Sequence, residues 1–502
     1  MLTKDDRREK HTYVQILKST VQIGGSSVIN IAFGIIRNKA LAMILGPSGV
    51  GLMGLYTSIA DLTQSVAGLG IQSSGVRQIA EAAGTEDAER IATTTIVLRR
   101  ISLLLGLCGA FALGLFAQPI SEFTFGSDHH AISVALLAVV VFFKSISAGQ
   151  AALIQGMRRI SDLARMSILA AAFSTAVSIP LIYMFGEQGI VPSLIAMAAA
   201  SILTSWWYSR KIQIATHPLS LKQMWPESTK LLKLGFAFMA SGFLTLGAAY
   251  AIRIIVLSNA GVSAAGLYQA AWTLGGLYAG FILQAMGADF YPRLTASAQD
   301  NAECNRLVNE QAQVSILLAG PGVIATLTFA PIVVSLFYSS DFHAAIGLLR
   351  WICLGMVLRV IAWPMGFIVL AKGAQQIFFW TEVLATLVHV GAAWLLVISF
   401  GIDGAGVAFF ILYVWHSILS YIVVRRLSGF RWSAANMKIA AVFLPTVGVV
   451  FCSLLYLPSL PAIGIGVAAL LFTGFYSLRT LLTLYPPEFL PAAIRPWLMR
   501  LV

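Results

Sequence analysis

The sequence predicts an all-α polytopic membrane protein. The expected plan is about fourteen transmembrane helices: two parallel six-helix repeats around a central cleft, then two further helices at the C-terminus. Three observations carry this. Of the 502 residues 58% are hydrophobic and only 11% charged, against about 25% charged in soluble domains. The apolar runs are long and unbroken, near the ~20 residues a spanning helix needs, whereas a membrane barrel would show short alternating strands. The third is an internal repeat. Gly49-Val50 and Gly54-Leu55-Tyr56 return as Gly261-Val262 and Gly266-Leu267-Tyr268, 212 positions later.

Taken in order, the basic N-terminus (Lys4, Arg7, Arg8, Lys10, Lys18) precedes apolar segments at about 20–45 and 50–75. The glycine-rich stretch between them reads as a tight turn joining two helices. Gly49, Gly51 and Gly54 also spell GxGxxG, but no strand precedes them and no strand–helix unit contains them, so a nucleotide loop is rejected. A charged segment from Arg77 to Arg100 leads to a third helix at about 96–118, then to a loop with Glu122, Asp128, His129 and His130. The fourth helix, about 131–155, ends at Met157-Arg158-Arg159, and the fifth and sixth flank Phe185-Gly186-Glu187-Gln188-Gly189.

These six helices form an N-terminal bundle, 1–210. A basic connector, 211–233, leads to a second bundle, 234–427, which turns at 257–262, near 341 and at 400–404. Residues 428–502 hold two additional helices and the C-terminal tail. Phe185-Gly186 matches Phe400-Gly401, Ser201-Ile202-Leu203 matches Ser417-Ile418-Leu419, and Gly156 matches Gly373, all 215 to 217 positions apart. A steady separation over six helices marks a duplicated unit. Because six is even, both copies keep one orientation, and the expected axis lies along the membrane normal.

The net charge of +12 is read against the bilayer, not as a nucleic-acid signal. The turns assigned to the outside hold Glu122, Asp128, Glu187, Asp341 and Asp403 and no Lys or Arg, which puts both termini in the cytoplasm. Cys108, Cys304, Cys353 and Cys452 are scattered without a CxxC, so neither a disulfide framework nor a zinc site is expected. No cleavage site follows the first apolar run, so no removable signal peptide is expected.

Charges inside apolar helices mark function by default. Arg37 and Arg253 are 216 positions apart, and Lys144 and Arg359 are 215 apart, so the cations come in repeat-related pairs. Ser27, Asn30, Gly34 and Arg37 share one helix face; Gly54, Ser58, Asp61, Ser65 and Gly68 share another. Such stripes suit a water-filled cavity. Arg253, near a helix end, has snorkelling to headgroups as its alternative role. Lys144 and Arg359 have a structural contact as theirs. Lys39, two residues from Arg37, reads as a snorkelling lysine. Asp61 is the acid near mid-membrane; it either binds a coupling proton or sodium ion or neutralises Arg37 or Lys144. Arg77, Asp289 and Arg293 are candidates for a cytoplasmic gate, with ordinary interfacial charge as the alternative. His129 and His130 read as a wet loop, and His389 and His416 as intramembrane helix contacts.

The paired bundles with two extra helices, the Leu45-Gly46-Pro47-Ser48-Gly49-Val50-Gly51-Leu52 turn and the Phe290-Tyr291-Pro292-Arg293 segment resemble the MOP flippase superfamily. Within it the chain looks most like the Wzx-type O-antigen translocases of the polysaccharide-transport branch. Ile36-Arg37-Asn38 is similar to the Arg-Asp of peptidoglycan-precursor flippases, but Asn38 departs from the acidic position.

The resemblance implies an undecaprenyl-pyrophosphate-linked oligosaccharide moved across the bacterial inner membrane, polysaccharide polymerase and chain-length machinery as further partners, no nucleic acid and no bound cofactor. Arg37, Lys144, Arg253 and Arg359 would then bind the substrate, since a pyrophosphate entering a low-dielectric site requires fixed cations and Arg pairs two oxygens at once. Two rivals stand beside this reading. A multidrug–cation antiporter of the same fold would want cavity acids. A membrane glycan polymerase or ligase would want catalytic carboxylates or histidines on a sizeable outer loop.

Overall fold

A computed structural model describes residues 4–85, 87–214, 221–286 and 290–484. The described residues are mostly helical, joined by short turns, with no strand among them. In chain order the helices are α1 (Lys4–Ala67), α2 (Ile71–Gly84), α3 (Ala88–Leu115), α4 (Ala117–Phe125), α5 (Ala131–Gly156), α6 (Ile160–Phe185), α7 (Ile190–Ser209) and α8 (Leu221–Ala285). They continue as α9 (Tyr291–Ala296), α10 (Asn301–Thr328), α11 (Ala330–Phe337), α12 (Ile346–Ala371), α13 (Gln375–Phe400), α14 (Asp403–Ser428), α15 (Ala434–Tyr456) and α16 (Ser459–Leu484).

Among the described residues 11 stretches are long and apolar enough to cross a membrane. Ile29–Ala67 and Met224–Leu277 are each broken internally by a glycine, and Ser161–Ser209 joins α6 to α7 through a short 3-10 turn. Only helices and closed barrels satisfy every backbone polar group inside lipid, so an all-helical, multi-pass chain follows from this composition.

The breaks explain the repeated glycine-rich stretch. Gly46 (φ 65°) interrupts α1 and Gly261 (φ 84°) interrupts α8. Both angles lie in the left-handed region, where a side chain is strained. These glycines are 215 positions apart, so the structural register of this turn differs by three residues from the 212 that sequence identity suggests.

Several extents differ from the sequence expectation. The second apolar run ends at Ala67, and the expected charged segment after it is largely helical, forming α2 and the start of α3. Asp87 caps α3 by accepting from Arg90 N at 2.9 Å. The stretch expected as a loop after the third span contains α4.

The chain forms two compact units. One comprises Ile29–Gln269 with Phe337–Ser339; the other comprises the described parts of Met1–Val28, Ala270–Leu336 and Ser340–Val502. In the first, Leu137, Val141, Ile182 and Ile190 are fully buried in a core shared by α5, α6 and α7 and extended by Tyr56 of α1. In the second, glycines let large rings close on neighbouring helices. Gly320 of α10 faces the ring of Phe443, and Gly355 of α12 faces that of Phe409.

Candidate functional site

The first unit brings together Asp61, Lys144 and Arg253. Lys144 Nζ of α5 donates to Asp61 Oδ1 of α1 at 2.5 Å, both side chains about one-third exposed. Arg253, on α8, lies within electrostatic reach of Asp61. Its guanidinium is held by two neutral acceptors: Nε and Nη2 donate to Gln269 Oε1 at 3.1 and 2.8 Å, and Nη1 donates to Ala249 O at 3.2 Å. Gln269 in turn lies over Gly54, where an added Cβ would sit 3.1 Å from its Oε1. Gln269 therefore positions Arg253, a role the sequence reading missed; the signal was an amide inside an apolar helix, directly after the repeated Tyr268.

Arg37 lies in the same unit. Its Nη1 meets the Met197 thioether at 3.9 Å, and its buried Nε has no hydrogen-bond partner. No carboxylate among the described residues forms an ion pair with it. A guanidinium held this way has spare donor capacity for an anion. Lys39 instead donates to the backbone carbonyl of Tyr338. Of the polar stripe on α1, Asn30 Nδ2 donates to Ser167 Oγ at 3.0 Å; the side chain of Ser27 lies outside the described ones.

Arg359 belongs to the second unit. Its guanidinium lies 4.7 Å from the Trp363 ring centroid and 5.8 Å from that of Tyr413, and its buried Nε has no hydrogen-bond partner. Glu382, His389 and His416 all lie within its electrostatic reach. His389 also meets the Phe409 ring, centroids 5.8 Å apart. Glu382 was missed by the sequence reading, although it is the lone carboxylate of the apolar α13.

The described gate candidates divide between the two units, Arg77 in the first and Arg293 in the second. Arg77 Nε pairs with Glu81 one turn along α2, at 3.0 Å. Arg293 occupies the last turn of α9, and Asp289 lies outside the described residues.

His130 is not simply a wet loop residue. It packs on Phe125 with ring centroids 4.2 Å apart and shares a 2.9 Å hydrogen bond with the Tyr56 hydroxyl. Burial holds its imidazole below the ordinary value of 6.5; His129 adds to that, and Glu187 opposes it.

Over residues 40–347 the sequence matches the family described as polysaccharide biosynthesis protein. It is 24% identical over 413 residues to the lipid III flippases of Escherichia coli (strain K12) and Shigella flexneri, covering 80% of this chain and 96% of each relative. In three dimensions it is similar to a multidrug resistance MATE family transporter of the MOP superfamily in an inward-facing conformation. That TM-score is 0.67 at 18% identity, covering 86% of this chain and 98% of the other. It is also similar to the lipid II flippase MurJ in an inward closed conformation, with TM-score 0.66 at 17% identity, covering 92% and 100%. Likeness at such identities establishes the fold, while the family match spans more than half of the sequence. The chain therefore belongs to the polysaccharide biosynthesis protein family, with the fold of the transporter and flippase structures it resembles.

Proposed function

We propose that the chain flips an undecaprenyl-pyrophosphate-linked oligosaccharide, an O-antigen or exopolysaccharide repeat unit, from the cytoplasmic to the outer leaflet of the bacterial inner membrane by alternating access. The observation that carries this is the sign of the intramembrane charge. In the first unit Arg37, Lys144 and Arg253 stand against the acid Asp61, and in the second Arg359 stands within reach of Glu382, so these four cations face two acids. Unmatched cations at membrane depth are costly unless they serve an anion. Arg37, Lys144, Arg253 and Arg359 are assigned to the pyrophosphate, and the relatives named lipid III flippase support a lipid-linked cargo. The multidrug antiporter reading asks for the opposite balance, acids facing a cationic drug.

Asp61 is assigned to coupling. Protonation or sodium binding at its carboxylate releases Lys144 to the substrate, and the resting ion pair re-forms when the substrate leaves. Voltage acts in the same direction. Each charge crossing a 100 mV potential is worth about 2.3 kcal/mol, so two phosphate charges leaving a negative-inside cell gain roughly 4–5 kcal/mol. The charge asymmetry of the turns supports cytoplasmic termini, the side on which the gate assigned to Arg77, Asp289 and Arg293 would close. Polymerase and chain-length proteins would act on the delivered unit.

Deletion of the gene tests this in cells. Lipid-linked sugars should accumulate on the cytoplasmic side, and their mass spectrum would name the glycan. Unchanged lipid-linked sugars together with sensitivity to cationic dyes would favour the antiporter instead.

A further inference from the structure

The turn between α5 and α6 and the turn between α12 and α13 are repeat copies with one backbone geometry. Arg158 N donates to Gln155 O at 2.9 Å and Arg159 N to Ile154 O at 3.1 Å; Gly373 N donates to Leu370 O at 3.0 Å and Ala374 N to Val369 O at 3.1 Å. Corresponding residues are 215 positions apart throughout. The residue at the apex is left-handed in both copies, with φ 53° at Arg158 and 69° at Gly373. Glycine takes that conformation freely, whereas a long side chain is strained in it. The first copy therefore keeps an arginine where its own duplicate shows that glycine serves the turn. Arg158 is exposed, and among the described residues its guanidinium has no ion-pair partner. The strain is not offset by a contact of that kind within the fold.

Three more cations gather at this end of the first unit. Arg159 follows directly, 3.6 Å from Asp162. Helices α5 and α7 run in parallel: Ser147 Oγ donates to Ser201 O at 3.2 Å, and Ser205 Oγ donates to Gln150 Oε1 at 2.6 Å. The same register, carried one turn on, brings Arg210 and Lys211 level with Gln155 and Gly156, and Met157, Tyr208 and Ile212 share one apolar core. The Arg210 guanidinium stands over Trp206 and Trp207, 4.6 and 4.3 Å from their ring centroids, and Lys211 Nζ lies 4.3 Å from that of Tyr208. Arg159, Arg210, Lys211 and both tryptophans are exposed.

We propose that Arg158, Arg159, Arg210 and Lys211 bind the phosphate of an anionic phospholipid headgroup in the cytoplasmic leaflet, with Trp206 and Trp207 seated at headgroup depth beside it. Tryptophan belongs at the membrane–water interface, so the two rings fix the depth of the cations stacked on them. At that depth basic side chains are drawn to anionic lipid, and an arginine fork pairs two phosphate oxygens at once. Asp162 already occupies Arg159 in part, which leaves Arg158 and Arg210 as the principal partners. The choice of leaflet rests on the orientation given above; the headgroup site itself is independent of the cargo. A bound headgroup ties together the ends of α5 and α7, the helices that carry Lys144 and the Met197 that meets Arg37.

Tryptophan quenching tests this on the full chain in phosphatidylcholine nanodiscs doped with brominated phosphatidylglycerol or with brominated phosphatidylcholine. The phosphatidylglycerol should quench more. That excess should vanish in the Trp206→Phe, Trp207→Phe double variant and fall several-fold in Arg158→Gly. Arg426→Gln removes an exposed cation from the last turn of α14, in the other unit, and should keep the excess. An equal fall in Arg158→Gly and Arg426→Gln would show diffuse attraction to positive charge, and an excess that survives loss of the two tryptophans would put the lipid elsewhere; either result overturns the site. Inorganic phosphate at constant ionic strength should not displace the lipid, and displacement would make this a free-anion site instead. In undoped phosphatidylcholine Arg158→Gly relieves the turn, so its melting temperature should equal or exceed the parent's. A lower one would show that Arg158 is kept for the fold and would contradict the proposal.

Discussion

Gly51 and Gly266 face each other backbone to backbone. A Cβ on Gly51 would lie 2.7 Å from Gly266 N, and one on Gly266 would lie 3.0 Å from Gly51 N and 1.8 Å from Pro47 O. The two residues are 215 positions apart, the separation that also relates Gly46 to Gly261 and Lys144 to Arg359. The two copies of the repeated turn therefore meet each other through equivalent residues. Gly266→Ala forces backbone apart and should cost about 1–3 kcal/mol or more, read as a lower melting temperature in detergent. Gly34→Ala, with open space around the site, should change it little; equal losses would contradict the contact.

Asp61→Asn removes the acceptor charge opposite Lys144 while keeping size and polarity. Inorganic pyrophosphate should bind the variant more tightly, because Lys144 loses its internal competitor. Turnover should fall, and any residual transport should lose its dependence on a pH or sodium gradient. A stable Asn variant with full gradient-driven transport would remove Asp61 from coupling.

Arg359→Ala should abolish translocation with protein still in the membrane. Arg359→Lys should retain part of it, since a lysine keeps the charge and the ring contact but loses the fork. Trp363→Leu removes one ring face and should cost about 0.5–2 kcal/mol of stability. Normal transport by the Ala variant would strike Arg359 from the site.

His130 predicts a pH effect of definite sign. Its folded-state value lies below the ordinary 6.5 because of burial, so the unfolded chain takes up a proton first as pH falls. Its contribution is full above about pH 6.5 and is lost progressively below it. The melting temperature of His130→Gln should fall less steeply than that of the parent between about pH 6.5 and 5. Parallel profiles would show that His130 does not set this slope.

The helical class, the duplication and the buried cations were legible because each depends on residue type alone: charges are rare in this sequence, so every one inside an apolar run stands out. Partners were harder to read. Asp61 had two candidate partners, Arg37 and Lys144, and only side-chain geometry separates them. Gln269 and Glu382 carry one polar group each in apolar helices, and their importance comes from proximity to Arg253 and Arg359 across a helix interface. The three-residue error in the turn arose because matching glycines by identity paired Gly49 with Gly261, whereas backbone conformation pairs Gly46 with Gly261. Applied to Asp61, a separation of 212 points to Thr273 and one of 215 to Gly276, so the carboxylate has no acidic counterpart in either register.

The central claim is movement of an anionic lipid-linked sugar by these cations. Purified chain in proteoliposomes, loaded with an undecaprenyl-pyrophosphate-linked oligosaccharide and probed with an impermeant glycan-cleaving enzyme, measures it directly. The account predicts substrate exchange between leaflets with the parent protein, and exchange at the protein-free rate with Lys144→Ala or Arg37→Ala at equal incorporation. Parent-level exchange in both variants, or none with the parent protein, would contradict it.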